Sequence, residues 1–118
     1  MPNISKVLAR VFVSDLDDAI PLYEELAQAR AEKFGFRDVE LARVGPFLLL
    51  AGNTAAYRDR TATIQVASLA PVLAALESAG GEVIEGPAPA PKGARLIARH
   101  PDGAVFEYIE TGGPGSAS

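Results

Sequence analysis

Two stretches of the chain carry the same apolar grammar. "VFVSDLDDAIPLYEEL" (residues 11–26) and "IQVASLAPVLAALESA" (residues 64–79) align without gaps at an offset of 53 residues, so that Val11 meets Ile64, Val13 meets Val66, Leu16 meets Leu69 and Glu24 meets Glu77. In each copy an alternating apolar run predicts a strand, and a small polar residue (Asp15 or Ser68) predicts the cap of an amphipathic helix. The second helix places Leu69, Val72, Leu73 and Leu76 at i, i+3, i+4 and i+7, a continuous apolar stripe; Leu16, Ala19, Ile20, Tyr23 and Leu26 predict the same in the first. Pro71 falls in a first turn, where its missing N–H costs little, whereas Pro21 lies deeper and should bend or loosen its helix.

Short alternating segments follow each helix. They predict strands near 31–36, 39–44 and 46–51 in the first half, and near 82–84, 94–99 and 104–109 in the second. "GPAPAPKG" (86–93) predicts a stiff, extended connector. "PDG" (101–103) predicts a turn in which Pro presets φ, Asp caps and Gly takes a positive φ. "TGGPGSAS" at the end predicts a disordered tail over 112–118. Each half therefore reads strand–helix–strand–strand–strand. The fold class expected is α+β: two βαβββ modules, about 5–54 and 60–111, within a single domain of residues 1–111.

Composition narrows the function more than it names it. The chain is long enough for one domain core and, at 48% hydrophobic and 22% charged, has the balance of a soluble globule. No apolar run is long enough to span a bilayer and the first residues hold no signal-peptide core, so the expected location is cytoplasmic, away from membranes. A net charge of -4 without a basic stripe argues against nucleic acid. The absence of cysteine removes disulfides and thiolate nucleophiles. No GxGxxG, P-loop or nucleophile elbow occurs. The single histidine, His100, precedes the "PDG" turn and reads as turn machinery rather than as a catalytic base, and "DLDD" reads as helix capping.

The repeat, its helix grammar and the terminal "HPDGAVFEYIE" resemble the vicinal-oxygen-chelate superfamily, which includes glyoxalase I, extradiol dioxygenases, fosfomycin-resistance enzymes and bleomycin-resistance binding proteins. The resemblance runs over about residues 5–111. It implies a cupped, mixed antiparallel sheet with the helices on its convex side and a ligand or metal in the cup. Catalytic members hold a divalent metal seven residues before the helix-starting Asp or Ser and four residues after the turn glycine of each module. Those positions here are Leu8, Thr61, Leu49 and Glu107. Leucine has no lone pair to give and threonine is at most a weak ligand, so the resemblance implies a cup with no metal and no cofactor.

If Leu8 faces the cup, period-2 alternation sends Arg10 and Phe12 there, with Thr63 and Gln65 from the second copy; counting from the turns adds Phe47, Leu49 and Ala51, and Val105, Glu107 and Ile109. Tyr57, in the "YRDR" run between the modules, borders the cup in this fold. The candidate ligand site is thus Arg10, Phe12, Phe47, Leu49, Tyr57, Thr63, Gln65 and Glu107, apolar walls with a few polar handles, with no catalytic residue assigned. An Arg10–Glu107 pair would neutralise two charges costly to bury singly. Among functions, the resemblance favours a metal-free small-molecule binder of the drug-resistance type. Such a protein sequesters an aromatic or peptide antibiotic or another natural product and works as a homodimer. The alternatives are an enzyme of the same fold (lyase, isomerase or dioxygenase-like) with a rebuilt site, and a non-catalytic accessory module.

Overall fold

The computed structural model describes residues 2–90 and 93–111; the expected tail and part of the expected connector lie outside these. The elements run β1 (Ile4–Phe12), α1 (Leu16–Ala27), β2 (Glu32–Phe36), β3 (Val39–Val44), β4 (Phe47–Gly52), a 3-10 turn (Ala55–Tyr57), β5 (Ala62–Val66), α2 (Ala70–Ala79), β6 (Glu82–Ala90), β7 (Gly93–Arg99) and β8 (Val105–Glu110). The βαβββ order occurs twice, as the repeat requires. The chain divides into two compact units, Leu8–Asp59 (the first module) and the described residues on either side of it (the second module). The boundary falls inside β1, so the opening residues of that strand go with the second module and not with the first.

In the first module the strand order is β2-β3-β4-β1. β4 runs parallel to β1 with Val11 opposite Leu49, while β3 and β4 form a hairpin with Val44 opposite Phe47. α1 starts as expected: the Asp15 side chain accepts a hydrogen bond from the Asp18 N–H at 3.0 Å. The helix stays continuous through Pro21. One face of the sheet packs on α1 through Val11, Val13, Ala42, Val44, Phe47, Leu49 and Ala51 against Leu16, Ala19, Ile20, Tyr23 and Ala27. Leu26 is not in that stripe and is 61% exposed. Helical spacing aligns Ala27 with Leu16, Ile20 and Tyr23 and leaves Leu26 on the flank.

In the second module the order is β5-β8-β7-β6, with the start of β1 beside β5. The Asn3 C=O accepts from the Ala67 N–H at 2.8 Å, and the Asn3 side chain brackets the Ser68 backbone at 2.9 and 3.0 Å. α2 begins one residue later than Ser68 capping predicts. Ser68 Oγ accepts from the Ala70 N–H at 3.2 Å, while Glu110 takes the Leu69 N–H at 2.9 Å. The expected stripe of Leu69, Val72, Leu73 and Leu76 packs on Ile64, Val66, Leu96, Ala98 and Tyr108. β6 continues through the segment expected to be a connector, pairing Ala88 with Arg95 and Ala90 with Gly93.

The "PDG" turn forms as read: Gly103 has φ 95°, and Asp102 Oδ1 accepts from the Ala104 N–H at 3.0 Å. His100 locks this turn to the sheet. Its Nε2 lies 2.8 Å from the Tyr108 hydroxyl, and its ring meets Phe106 edge-on. Burial raises the Tyr108 hydroxyl above the ordinary value of 10. Stability from this neutral phenol is therefore intact below the unfolded-state value and is lost as pH climbs through the folded-state one. An alkaline absorbance titration should show one of the three tyrosines ionising last, and Tyr108→Phe should remove that late step. Leu49→Ala, at a fully buried position under α1, should cost about 2–5 kcal/mol in urea unfolding, whereas Leu22→Ala, 57% exposed, should stay within about 0.5 kcal/mol.

Candidate functional site

In the second module, the sheet face opposite α2 is polar. Alternation along β5 and β8 buries Ile64, Val66 and Tyr108 under the helix and turns Thr63 and Glu107 to the other side, where parallel pairing sets them opposite each other. Thr63 Oγ1 donates to Glu107 Oε1 at 3.0 Å. Arg95 Nε donates to Glu107 Oε2 at 2.9 Å from the adjacent strand β7. Thr63 is 1% exposed, Glu107 7% and Arg95 8%, so this is a buried, hydrogen-bonded ion pair. The row extends to β6, where Glu85 bridges Arg95 Nη1 at 3.4 Å and Arg60 Nη2 at 3.3 Å. Glu107, Arg95, Glu85 and Arg60 thus alternate in charge along this row.

In the first module, the face opposite α1 is apolar. Leu8, Val39, Leu41, Leu48 and Leu50 form its core, with Phe12, Phe36 and Tyr57 packed against them. The Arg58 guanidinium sits 5.0 Å over the Phe12 ring. Leu8 and Phe12 therefore lie on the face where the alternation put them, and Tyr57, from the linker after β4, packs against the same cluster. Phe47 and Leu49 do not: both pack under α1, together with Ala51. The β3–β4 hairpin turns on two residues, Gly45 and Pro46, whereas β7 and β8 are joined by a five-residue loop, 100–104. The odd difference in length reverses which alternate residues face which side, so Leu48 and Leu50 take the places expected of Leu49 and Ala51. Arg10 shares the Leu48 register position in this module. Gln65 continues the Thr63 face of β5, and its carbonyl accepts from Ser5 Oγ at 3.3 Å.

The sequence reading missed Arg95, Arg60 and Glu85. Arg95 was findable, because the hairpin closed by "PDG" pairs Ile97 with Glu107 and so puts the alternating Arg95, Ile97 and Arg99 on the Glu107 face. Glu85 was not findable from period 2, because β6 shifts register between Val83 and Glu85.

The donor set does not fit a divalent metal. With the β4 register corrected, the four positions implied by the resemblance are Leu8, Leu48, Thr61 and Glu107. The one carboxylate among them is already compensated by Arg95 and Thr63. Among the described residues, no three His, Cys, Asp or Glu side chains are grouped so as to hold a metal ion. Elsewhere, an open cleft at the start of α1 is lined by Ser14, Asp15, Asp17 and Glu40, with Asp15 engaged in capping and Asp17 held by Lys33 at 2.7 Å. Among the described residues no helix is long and apolar enough to cross a membrane.

Among solved structures, an uncharacterized protein from Methanosarcina mazei superimposes with a TM-score of 0.84 at 38% identity, over 92% of this chain and 93% of that one. The chain belongs to the same family as that protein. Methylmalonyl-CoA epimerase from Mycobacterium tuberculosis matches with a TM-score of 0.66 at 18% identity, over 95% of this chain and 87% of the enzyme. A Streptomyces coelicolor methylmalonyl-CoA epimerase in complex with 2-nitronate-propionyl-CoA matches at 0.63 and 15% identity, over 90% and 92%. These epimerases belong to the vicinal-oxygen-chelate superfamily, and the fold is the one they share. No family model matches the sequence, and no curated protein matches it significantly.

Removing one member of the buried pair should be far costlier than exchanging both. Glu107→Ala takes from Arg95 its buried carboxylate partner and should cost about 3–5 kcal/mol in urea unfolding, while the double change Glu107→Leu with Arg95→Met should cost markedly less.

Proposed function

We propose that this protein is a metal-free small-molecule binding protein of the vicinal-oxygen-chelate fold, acting by sequestration rather than by catalysis. The observation that carries the reading is the state of Glu107. Its two oxygens are committed to Arg95 and Thr63 at 2.9 and 3.0 Å, which leaves it poorly suited to accept a substrate proton or to ligate a cation. Two further features support binding. The first module's sheet face opposite α1 is apolar, with half-buried Phe12 and Tyr57 beside the buried Leu8, Leu41, Leu48 and Leu50, and the second module's carries defined hydrogen-bonding groups. Hydrocarbon and aromatic area, as on the first face, and placed polar groups, as on the second, are each features that small-molecule sites use. The ligand class proposed is a natural product with a flat or apolar portion, an aromatic or peptide antibiotic among the candidates. The working form proposed is a cytoplasmic homodimer, as in the bleomycin-resistance binding proteins that the sequence resembles.

The deciding experiment is calorimetric titration of the purified chain with a panel of aromatic and peptide antibiotics and acyl-CoA thioesters, in chelator and then with added divalent metal. Binding in chelator that metal does not change is the expected outcome, with a melting temperature that rises with ligand concentration by mass action. Stoichiometric metal in the purified protein, or binding that appears only with metal, would overturn the reading. Light scattering on the same sample should give twice the 12.3 kDa chain mass.

A further inference from the structure

Glu85 occupies its place through an irregularity in β6. Val83 pairs with Ala98, a residue of the core under α2. Two positions on, simple alternation would keep Glu85 on that same face. The strand instead shifts register, so that Glu85 pairs with Ile97, and it shifts again before Ala88 pairs with Arg95. One extra residue on the β6 side of the first shift turns Glu85 over to the face that carries Arg95, Glu107 and Thr63. The next residue fixes the shape: Gly86 has φ +86°, and a Cβ there would lie 2.7 Å from the Arg95 carbonyl oxygen. A bulge and an obligatory glycine thus deliver one carboxylate to the arginines.

That carboxylate is held differently from Glu107. Glu107 is buried and meets its partners at 2.9 and 3.0 Å, whereas the Glu85 side chain is 46% exposed and its two oxygens touch Arg60 and Arg95 at 3.3 and 3.4 Å. The two arginine side chains are only 6% and 10% exposed. Each Glu85 oxygen faces one guanidinium, as the oxygens of a clamped carboxylate do, but at the long end of hydrogen-bonding range and open to solvent.

We propose that Arg60 and Arg95 form a seat for the carboxylate of a small-molecule ligand, and that Glu85 is a built-in stand-in which such a ligand displaces. The proposal rests on the binding function above and adds the chemistry of the ligand: it carries a carboxylate. Glu107 keeps Arg95 oriented throughout, so what is exchanged is one loosely held carboxylate for another and the face keeps its charge balance. Glu85 also sets a threshold, since an anion must outcompete a tethered carboxylate to enter.

The test is calorimetric titration of the full chain with malonate, acetate and inorganic phosphate, comparing wild type, Glu85→Ala and Glu85→Gln. Glu85→Ala should bind malonate and acetate at least about tenfold more tightly than wild type, the scale of losing one charged competitor at a paired site. Adding Arg60→Gln to Glu85→Ala should abolish the gain. Glu85→Gln keeps the shape while dropping the charge, and should show a smaller gain in the same direction; it carries the test if Glu85→Ala fails to fold. A folded Glu85 variant with no gain for either carboxylate overturns the proposal, as does a gain that survives Arg60→Gln. A larger gain for phosphate than for the carboxylates overturns the assignment of ligand class. The binding reading fails separately: a requirement for metal would sink it with the Glu85 effect intact, and metal-free binding of an uncharged compound with no Glu85 effect would sink this proposal alone.

Discussion

A carboxylate can be placed on the inner face of a sheet only if something compensates it, and Glu107 is compensated on both oxygens. Arg95 supplies the charge and Thr63 the hydroxyl donor, each from a strand that neighbours β8. This arrangement ties three strands together at one point. It also dictates what surrounds it. The Arg95 guanidinium beside Glu107 also donates to a second carboxylate, Glu85, and Glu85 in turn accepts from Arg60. The whole polar face is a consequence of one buried acid, propagated strand by strand as alternating charge.

The two modules solve the same packing problem with different chemistry. Each hides one sheet face under its helix with aliphatic residues. On the opposite face the first module uses leucines and aromatics, and the second uses ion pairs. A duplicated βαβββ unit has thus diverged on the one side where the helix imposes nothing. The fold is shared with epimerases at 14–18% identity.

The helices, the strands that feed them and the final turn were legible in the sequence because each rests on local rules: a 3.6-residue stripe, a capping side chain, a Pro-Asp-Gly turn. β3 spans the very residues, Val39–Val44, that alternation gives. What failed was parity across turns. Phe47 and Leu49 were assigned to the wrong face because hairpin loops of two and five residues were counted as equivalent. Glu85 was hidden for a related reason: a bulge breaks the period on which the reading depends. Arg95 lay within reach, since the hairpin register points it at Glu107.

β1 has a consequence for how the chain is made. Its first residues complete the second module, where Asn3 grips the backbone of Ser68 from 65 positions away, while its later residues, from Leu8, belong to the first. Every contact inside Leu8–Asp59 is available once that segment has left the ribosome. The second module must wait for its own sequence and then reach back to a strand end synthesised some 60 residues earlier. Loop closure over so long a span is the slow kind of contact. Order of synthesis therefore favours the apolar module as the first to assemble, with the ion-paired module completed last and the opening residues of β1 held in reserve until β5 arrives.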